Sequence, residues 1–571
     1  MATTTADNFQ VTGDLDKHPK GLYVLFATEM WERFSFYSML ALFTLYLRDP
    51  VEGFGWTAAE ATGLYANYLM FVYASPLIGG FIADRVTGYR KAVMIGGLFF
   101  IAGHGLLSIP AMWAVYAALT CLVIGNGFFK PNVSTMVGNL YSEGSHMKDR
   151  AYNIFYMGIN IGAFFAPVVM EIVKAYWGFH AAFAVAAFGM MISVAILWFF
   201  KNLVEDVDRK ALVIGDYVIE DVGSKGVADS DQTADTAATA VDAPPHGISQ
   251  QGESEQTRAN NARQDRMNAV PDWKRVGALI VIFAIVIVFW MVFHQNGSTL
   301  TYWADDNTAW DVSGTISNAI NPFWVVTLTF PLVWFWGWLD RRGMEPSTPT
   351  KMAFGMTLTG LSFFVLWYAA TVGERQMPTA EQLANGSFRI NERILDNLRA
   401  DGVPDAVLER IRTAKDAEGK NLIYDVKFSA KEDETTKRQI SGTEGLMAAL
   451  NTVAPGQVEQ YRNAFVQRSY LFQVSPFWLI FAYAIVTLGE LMLSPMGLSL
   501  VSKVAPIRMR GLMMGGWFVA TAIGNKLTMI GIYWSIWYQS NFFLVLGAMA
   551  LVMAVVLFLL LKPLKKAMPG V

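Results

Sequence analysis

Residues 92–129 read AVMIGGLFFIAGHGLLSIPAMWAVYAALTCLVIGNGFF and hold no acidic or basic side chain apart from a lone His104. A bilayer's hydrocarbon core is crossed by about 20 apolar helical residues, so this run is too long for one crossing. Pro110 cannot continue a helix and divides the run into two spans joined by a tight turn. A hairpin of membrane helices is expected here, and the same reading carried outward decides the fold.

Runs of similar length lie at 22–47, 61–83, 151–173, 179–200, 275–296, 315–339, 352–372, 474–502, 511–538 and 541–561. With the divided run they make about twelve transmembrane helices, six before a long polar linker and six after it. The composition agrees. Of 571 residues 53% are apolar and only 16% charged, whereas a soluble chain has nearer a quarter charged. The net charge of −3 offers nothing to nucleic acid. One cysteine, Cys121, allows neither an internal disulfide nor a thiol metal site. The first twenty residues are polar, so no cleaved signal peptide is expected.

Short cytoplasmic loops collect lysine and arginine. Arg85, Arg90 and Lys91 follow the second span, Lys148 and Arg150 the fourth, and Arg341, Arg342 and Lys351 the eighth. Lys503, Arg508 and Arg510 follow the tenth, and Lys562, Lys565 and Lys566 the twelfth. Asp305, Asp306 and Asp311 follow the seventh. Both termini are therefore expected in the cytoplasm.

The expected organisation is an N-terminal six-helix bundle over 21–200 and a cytoplasmic linker over 201–272. Helices seven to nine follow at 273–372, then an extracytoplasmic insert at 373–473, then helices ten to twelve at 474–562. The linker, rich in Ala, Asp, Ser, Gln and Gly, cannot bury a core and reads as flexible. The insert mixes charge with apolar positions, as in NERILDNLRADGVPDAVLERIRTA, and reads as a small cap. It has no Cys, no His and no nucleophile constellation, so no catalytic residue is expected.

The two halves echo each other. GGFIADRVTGYRK (79–91) and GWLDRRGMEPSTPTK (337–351) each place a glycine, an Asp-Arg pair, a second glycine and a lysine at a helix end. Asn126 precedes Lys130-Pro131 by a helical turn, as Glu490 precedes Ser494-Pro495. Repeats of this kind put a substrate site near the midplane, between the halves.

Charged side chains within membrane spans cost about 2.5–3.5 kcal/mol each and mark functional sites by default, structural ion pairs being the plain alternative. The first span carries EMWERFSFY, residues 29–37, whose spacing places Glu29, Glu32 and Arg33 on one face with Tyr37 a turn beyond. Two carboxylates about one guanidinium leave a surplus negative charge that favours uptake of a proton. Lys130 in the fourth span and Glu490 in the tenth complete an arrangement that suits a small zwitterion.

These stretches resemble known sequences. GGFIADRVTGYRK is similar to the loop signature of the major facilitator superfamily, and the chain as a whole resembles its proton-dependent oligopeptide transporter family. The residues carrying the likeness are Glu29 to Tyr37, Phe155-Tyr156-Met157-Gly158-Ile159-Asn160-Ile161-Gly162, Asn321-Pro322, PSTPTK at 346–351 and FAYAIVTLGELMLSPMGLSLVS at 481–502. The resemblance implies an all-α membrane protein of major facilitator fold. It further implies a proton-coupled symporter of di- and tripeptides, multi-pass in the cell membrane, working as a monomer in lipid without cofactor or metal.

By that resemblance Glu29, Glu32 and Arg33 take part in proton coupling, and Arg33 and Lys130 stand near the peptide carboxylate. Asn160 and Asn321 bind the backbone or termini, Glu490 holds the amino group, and Tyr73 and Trp517 line the pocket. Trp517 reads equally well as helix packing. Asp84 and Arg85 serve gating rather than substrate choice. Two positions depart from the family pattern. Phe36 replaces a tyrosine, and His294, in FWMVFHQNGSTL, replaces an acidic residue, so a proton-responsive role falls to the imidazole. Lys526 is intramembrane without an assignment. A same-fold carrier of nitrate, another organic anion or a drug is the alternative, and a peptide-sensing receptor a more distant one.

Overall fold

The computed structural model describes residues 18–141, 146–205, 211–214, 217–220, 267, 269–432, 438–506 and 509–569. Nine helices among them are long and apolar enough to cross a membrane. One of these, Ile154–Phe199, breaks into two arms at Gly178, whose φ of 81° is open to glycine. With Lys20–Arg48 and Arg510–Leu527 the twelve expected helices are all present. They are α1 (Lys20–Arg48), α2 (Ala58–Ile82), α3 (Tyr89–Leu107), α4 (Met112–Asn139), and the arms α5 and α6 of His146–Phe199. The second set is α7 (Asp272–Phe293), α8 (Ser317–Asp340), α9 (Thr348–Arg375), α10 (Pro476–Val504), α11 (Arg510–Leu527) and α12 (Gln539–Ala567).

The breaks follow local chemistry. Pro110 falls between α3 and α4, where Ala111 turns extended, as the sequence implies. Thr57 and Glu60 form a reciprocal capping box at the start of α2, satisfying two of the amides that a helix start leaves free. The echoed loops share a device. Arg85 lies over Phe81 at 4.1 Å and Arg342 over Trp338 at 4.0 Å, each stacked one turn back on its own helix. Gly88 and Gly343 then turn the chain at φ 74° and 65°.

Within the first half α1 packs on the α5–α6 element and α4 on α2 and α3; within the second, α9 packs on α10 and α12, and α7 on α11. The halves meet where α2 runs along α11 and α5–α6 along α8. Small residues allow the closest approaches. A methyl group at Gly162 would lie 2.9 Å from the amide of Phe34 and 3.2 Å from the Cβ of Arg33, so α5 presses directly on the charged turn of α1. Gly162→Ala is expected to cost about 1–3 kcal/mol through forced separation, read as a lower thermal midpoint in detergent.

Helix α9 runs three residues past the expected boundary at 372, to Arg375, and the insert follows. It has its own apolar core, with Phe388, Ile390, Leu398, Ile411, Leu446, Leu450 and Phe465 buried. Its helices Glu392–Ala400 and Asp405–Thr413 turn Leu395, Leu398, Leu408 and Ile411 inward at helical spacing. Ion pairs dock it on the bundle: Arg389 meets Asp306 at 2.9 Å and Lys427 meets Asp305 at 2.9 Å. Burial would lower the Lys427 ammonium, but Asp305 and Asp306 outweigh it and hold its pKa above the usual lysine value.

The expected flexible linker is only partly described. Residues 206–210, 215–216, 221–266 and 268 lie outside the described residues, as do 1–17 at the amino terminus. The described part is not without structure. Lys201–Val204 forms a short turn that buries Val204, and Ala211–Ile214 pairs antiparallel with Tyr217–Glu220.

Candidate functional site

Between the halves lies a cavity of about 270 Å³, lined by residues of α1, α2, α4, α5, α7, α8, α10, α11 and the turn that extends α7. None of its lining comes from α3, α6, α9 or α12. Glu29, Arg33, Tyr37, Tyr73, Lys130, Asn160, His294, Asn321, Glu490 and Trp517 all face it. The structure thus brings together ten of the residues singled out from the sequence.

Glu32 lies behind them, with no exposure to solvent. Its carboxylate accepts a two-pronged contact from Arg33, Nε to Oε2 at 2.5 Å and Nη2 to Oε1 at 2.8 Å. Glu29, one turn earlier, meets the same guanidinium at 3.2 Å, and its second oxygen has no partner among the described residues. The i, i+4 and adjacent positions thus converge on one cation. Arg33 also lies 4.9 Å from the ring of Phe36. The residue that replaces a tyrosine therefore supplies an aromatic face in place of a hydroxyl.

Two opposite charges on the cavity wall have no ionic partner among the described residues. Lys130 points its ammonium at the ring of Tyr73, 4.7 Å away. Pro131 at the following position sits inside α4. Across the cavity, Glu490 accepts a hydrogen bond from the amide of Asn321 at 2.9 Å, and that amide also reaches Thr487 at 2.9 Å. Asn321 is presented by α8 immediately before Pro322, and Glu490 by α10 before Pro495.

His294 begins the turn His294–Gly297 that ends α7. Its ring stacks on Trp290 at 5.0 Å and leans on Tyr73 at 5.6 Å, while Nε2 is buried without a partner among the described residues. Asn160 donates one N–H to the carbonyl of Tyr156 on its own helix at 2.9 Å, keeping a second N–H and its oxygen. Trp517 fulfils both readings offered for it. It lines the cavity, yet it is only 2% exposed, packed against Gly497 and edge-on to Phe283 at 6.3 Å.

Several lining residues were not singled out. Tyr156 stands one turn before Asn160, and Asn318 one turn before Asn321; helical spacing alone puts both on the same faces. Trp290, Phe293 and Phe518 supply the apolar wall. Lys526 does not line the cavity; it donates to Asn67 and so ties α11 to α2. Asp84 sits in the widened turn Ala83–Thr87 that ends α2, remote from the cavity lining. Arg85 makes no ion pair among the described residues and stacks on Phe81.

Comparison with known proteins bears on this arrangement. The sequence matches the model of the POT family over residues 90–392 and 445–541. It is 27% identical to an uncharacterised transporter of Bacillus subtilis strain 168, covering 97% of this chain and 96% of that one. A di-/tripeptide transporter of Lactococcus lactis subsp. lactis is 24% identical, with 97% of each chain covered. Among solved structures, the peptide transporter POT in complex with sulfate superposes with a TM-score of 0.66 at 24% identity, covering 97% and 96%. A mutant of the peptide transporter POT in complex with alafosfalin gives 0.64 at 25% identity, again covering 97% and 96%. The shared architecture is the major facilitator fold, two six-helix bundles about a central cavity.

Proposed function

This chain belongs to the POT family, and from that premise we propose that it imports di- and tripeptides together with protons by alternating access. It is a transporter and not an enzyme. The observation that carries the substrate reading is the pair of unmatched charges, Lys130 on one wall and Glu490 on the other. A zwitterionic peptide supplies the missing partner of each. Its carboxylate goes to Lys130 and Arg33, its ammonium to Glu490, with Asn160 and Asn321 at the backbone. A cavity of about 270 Å³ lies just below the roughly 300–1,000 Å³ of ordinary ligand pockets, which suits a ligand as small as a dipeptide. A simple anion such as nitrate leaves Glu490 unmatched.

Coupling follows from the state of Arg33. Its guanidinium is held by both Glu29 and Glu32, so it has little to offer a peptide carboxylate. Protonation of either acid releases one side of that clasp, and the freed donors turn to the substrate. Proton and peptide therefore favour each other's binding, as symport requires. His294, beside Trp290 and Tyr73, responds to the carboxylate that arrives near Lys130 and transmits it to the end of α7. The protein works in the cell membrane as a monomer, both termini in the cytoplasm and the insert outside.

Blocking the peptide's termini tests the substrate pose. Binding of dialanine is expected to weaken about 30-fold, some 2 kcal/mol, when either its amine is acetylated or its carboxylate amidated. Equal affinity for all three ligands, measured by calorimetry, would remove the zwitterion reading. For His294→Ala we expect dialanine to bind while gradient-driven accumulation fails. Full accumulation by that variant would leave the imidazole a packing group only.

A further inference from the structure

The insert is rooted in one half of the bundle and only touches the other. On the C-terminal side, Val474 pairs its backbone with Asn307 and Ala309 at 2.9 Å each, and Asn307 donates its side chain to the Phe472 carbonyl at 3.0 Å. Chain continuity through α9 and α10 adds to that root. Towards the N-terminal half, the hydrogen bonds and ion pairs of the insert among the described residues run to the segment between Arg48 and Ala58. Asp425 accepts from the Ala58 amide at 2.5 Å and meets Arg48 at 3.4 Å. Lys420 donates to the Pro50 carbonyl at 3.0 Å, and Asn421 to that of Gly55 at 3.2 Å.

Asp425 is built for that reach. Its φ of 59° makes it the one non-glycine residue with positive φ among the described residues, a turn conformation that aspartate tolerates better than most residues. Arg389, which also holds Asp306, donates to the Asp425 carbonyl and keeps the backbone there. The carboxylate is thereby aimed at the start of α2. The Thr57–Glu60 capping box satisfies Thr57 and Glu60 there but leaves the Ala58 amide free, and Asp425 takes it.

We propose that the insert is a detachable clasp. It travels with the C-terminal half and holds the cavity shut on its own side by gripping the Arg48–Ala58 segment, with Asp425 as the tooth. This rests on the alternating-access reading. Opening the cavity toward the insert moves α1 and α2 away from α7, which breaks the four N-side contacts and spares the C-side root.

The test reads accessibility, so it needs no substrate. In a Cys121→Ala background with Asn318→Cys as reporter, an impermeant maleimide is applied from the insert's side. Modification at position 318 is scored by mass spectrometry. Asp425→Ala is expected to raise its rate about tenfold by shifting the population toward the open form. The converse variant joins Gly55→Cys to Lys420→Cys, since a Cβ at Gly55 would lie 3.1 Å from that of Lys420, close to disulfide reach; the strain of a side chain at φ 60° is common to the oxidised and reduced forms and cancels between them. Oxidation is expected to cut modification to about a tenth, and reduction of the same protein to restore it. An unchanged rate in Asp425→Ala, or equal rates in the oxidised and reduced pair, would overturn the clasp. Modification that follows the clasp in a protein that takes up no peptide would instead sink the transport reading alone.

Discussion

Arg33→Ala is expected to abolish uptake and to destabilise the protein by about 3–5 kcal/mol, the cost of leaving a buried charge without its partner. The guanidinium is the common partner of Glu29 and Glu32, and all three are at most 3% exposed. Without it, two carboxylates face each other across less than two helical turns. Adding Glu32→Gln to Arg33→Ala is expected to recover most of the lost stability, because one of the stranded charges goes. Uptake is expected to stay absent in the double variant, since the guanidinium that passes between the acids and the substrate is gone. Arg33→Lys separates charge from shape: an ammonium cannot reproduce the two-pronged contact to Glu32. It is expected to fold near the parent's thermal midpoint while losing most transport. Thermal unfolding in detergent together with liposome uptake checks all three variants. Parent-like uptake by Arg33→Ala would rule the cluster out of coupling.

Glu490→Gln carries the other large effect. Asn321 can still donate to the remaining carbonyl oxygen, so the fold is expected to hold. What goes is the acid proposed to receive the peptide's ammonium. Affinity for dialanine is expected to fall about 100-fold, within the 2–5 kcal/mol typical of a buried charge pair that loses one member. An N-acetylated dialanine, already without that ammonium, is expected to bind parent and variant alike. That second comparison separates an electrostatic role from a disturbed helix. If the variant weakened both ligands equally, Glu490 would be structural.

Much of this arrangement was legible in the sequence because membrane insertion imposes simple rules. A charge-free run such as 92–129 has few folded forms open to it, and Pro110 marks its division. Charged residues stand out against such runs, so Arg33, Lys130 and Glu490 could be named from position alone, and they do meet around one cavity. Tyr156 and Asn318 were within reach of the same periodicity.

Other features depend on partners remote in the chain. Nothing near Lys526 announces that it donates to Asn67, 459 positions away. Asp425 reads as an ordinary turn residue in LIYDVKFSA; its left-handed backbone and its grip on Ala58 arise only once the insert has folded and docked. The insert's core was likewise hidden, because its helices Glu392–Ala400 and Asp405–Thr413 carry few apolar positions each and bury them against segments much further along the chain, such as Leu446, Leu450 and Phe465. Aspartate tolerates the left-handed region better than most residues, so the conformation is locally permitted; its partner across the halves is what local reading misses.

The central claim is that the unmatched charges of the cavity receive a peptide whose movement is tied to that of a proton. Uptake of labelled dialanine into proteoliposomes, with and without an inward proton gradient, tests it most directly. Accumulation above the external concentration under the gradient, and mere equilibration without it, is the predicted result. Equal uptake under both conditions would contradict coupling, and binding of dialanine without any uptake would make the protein a receptor instead.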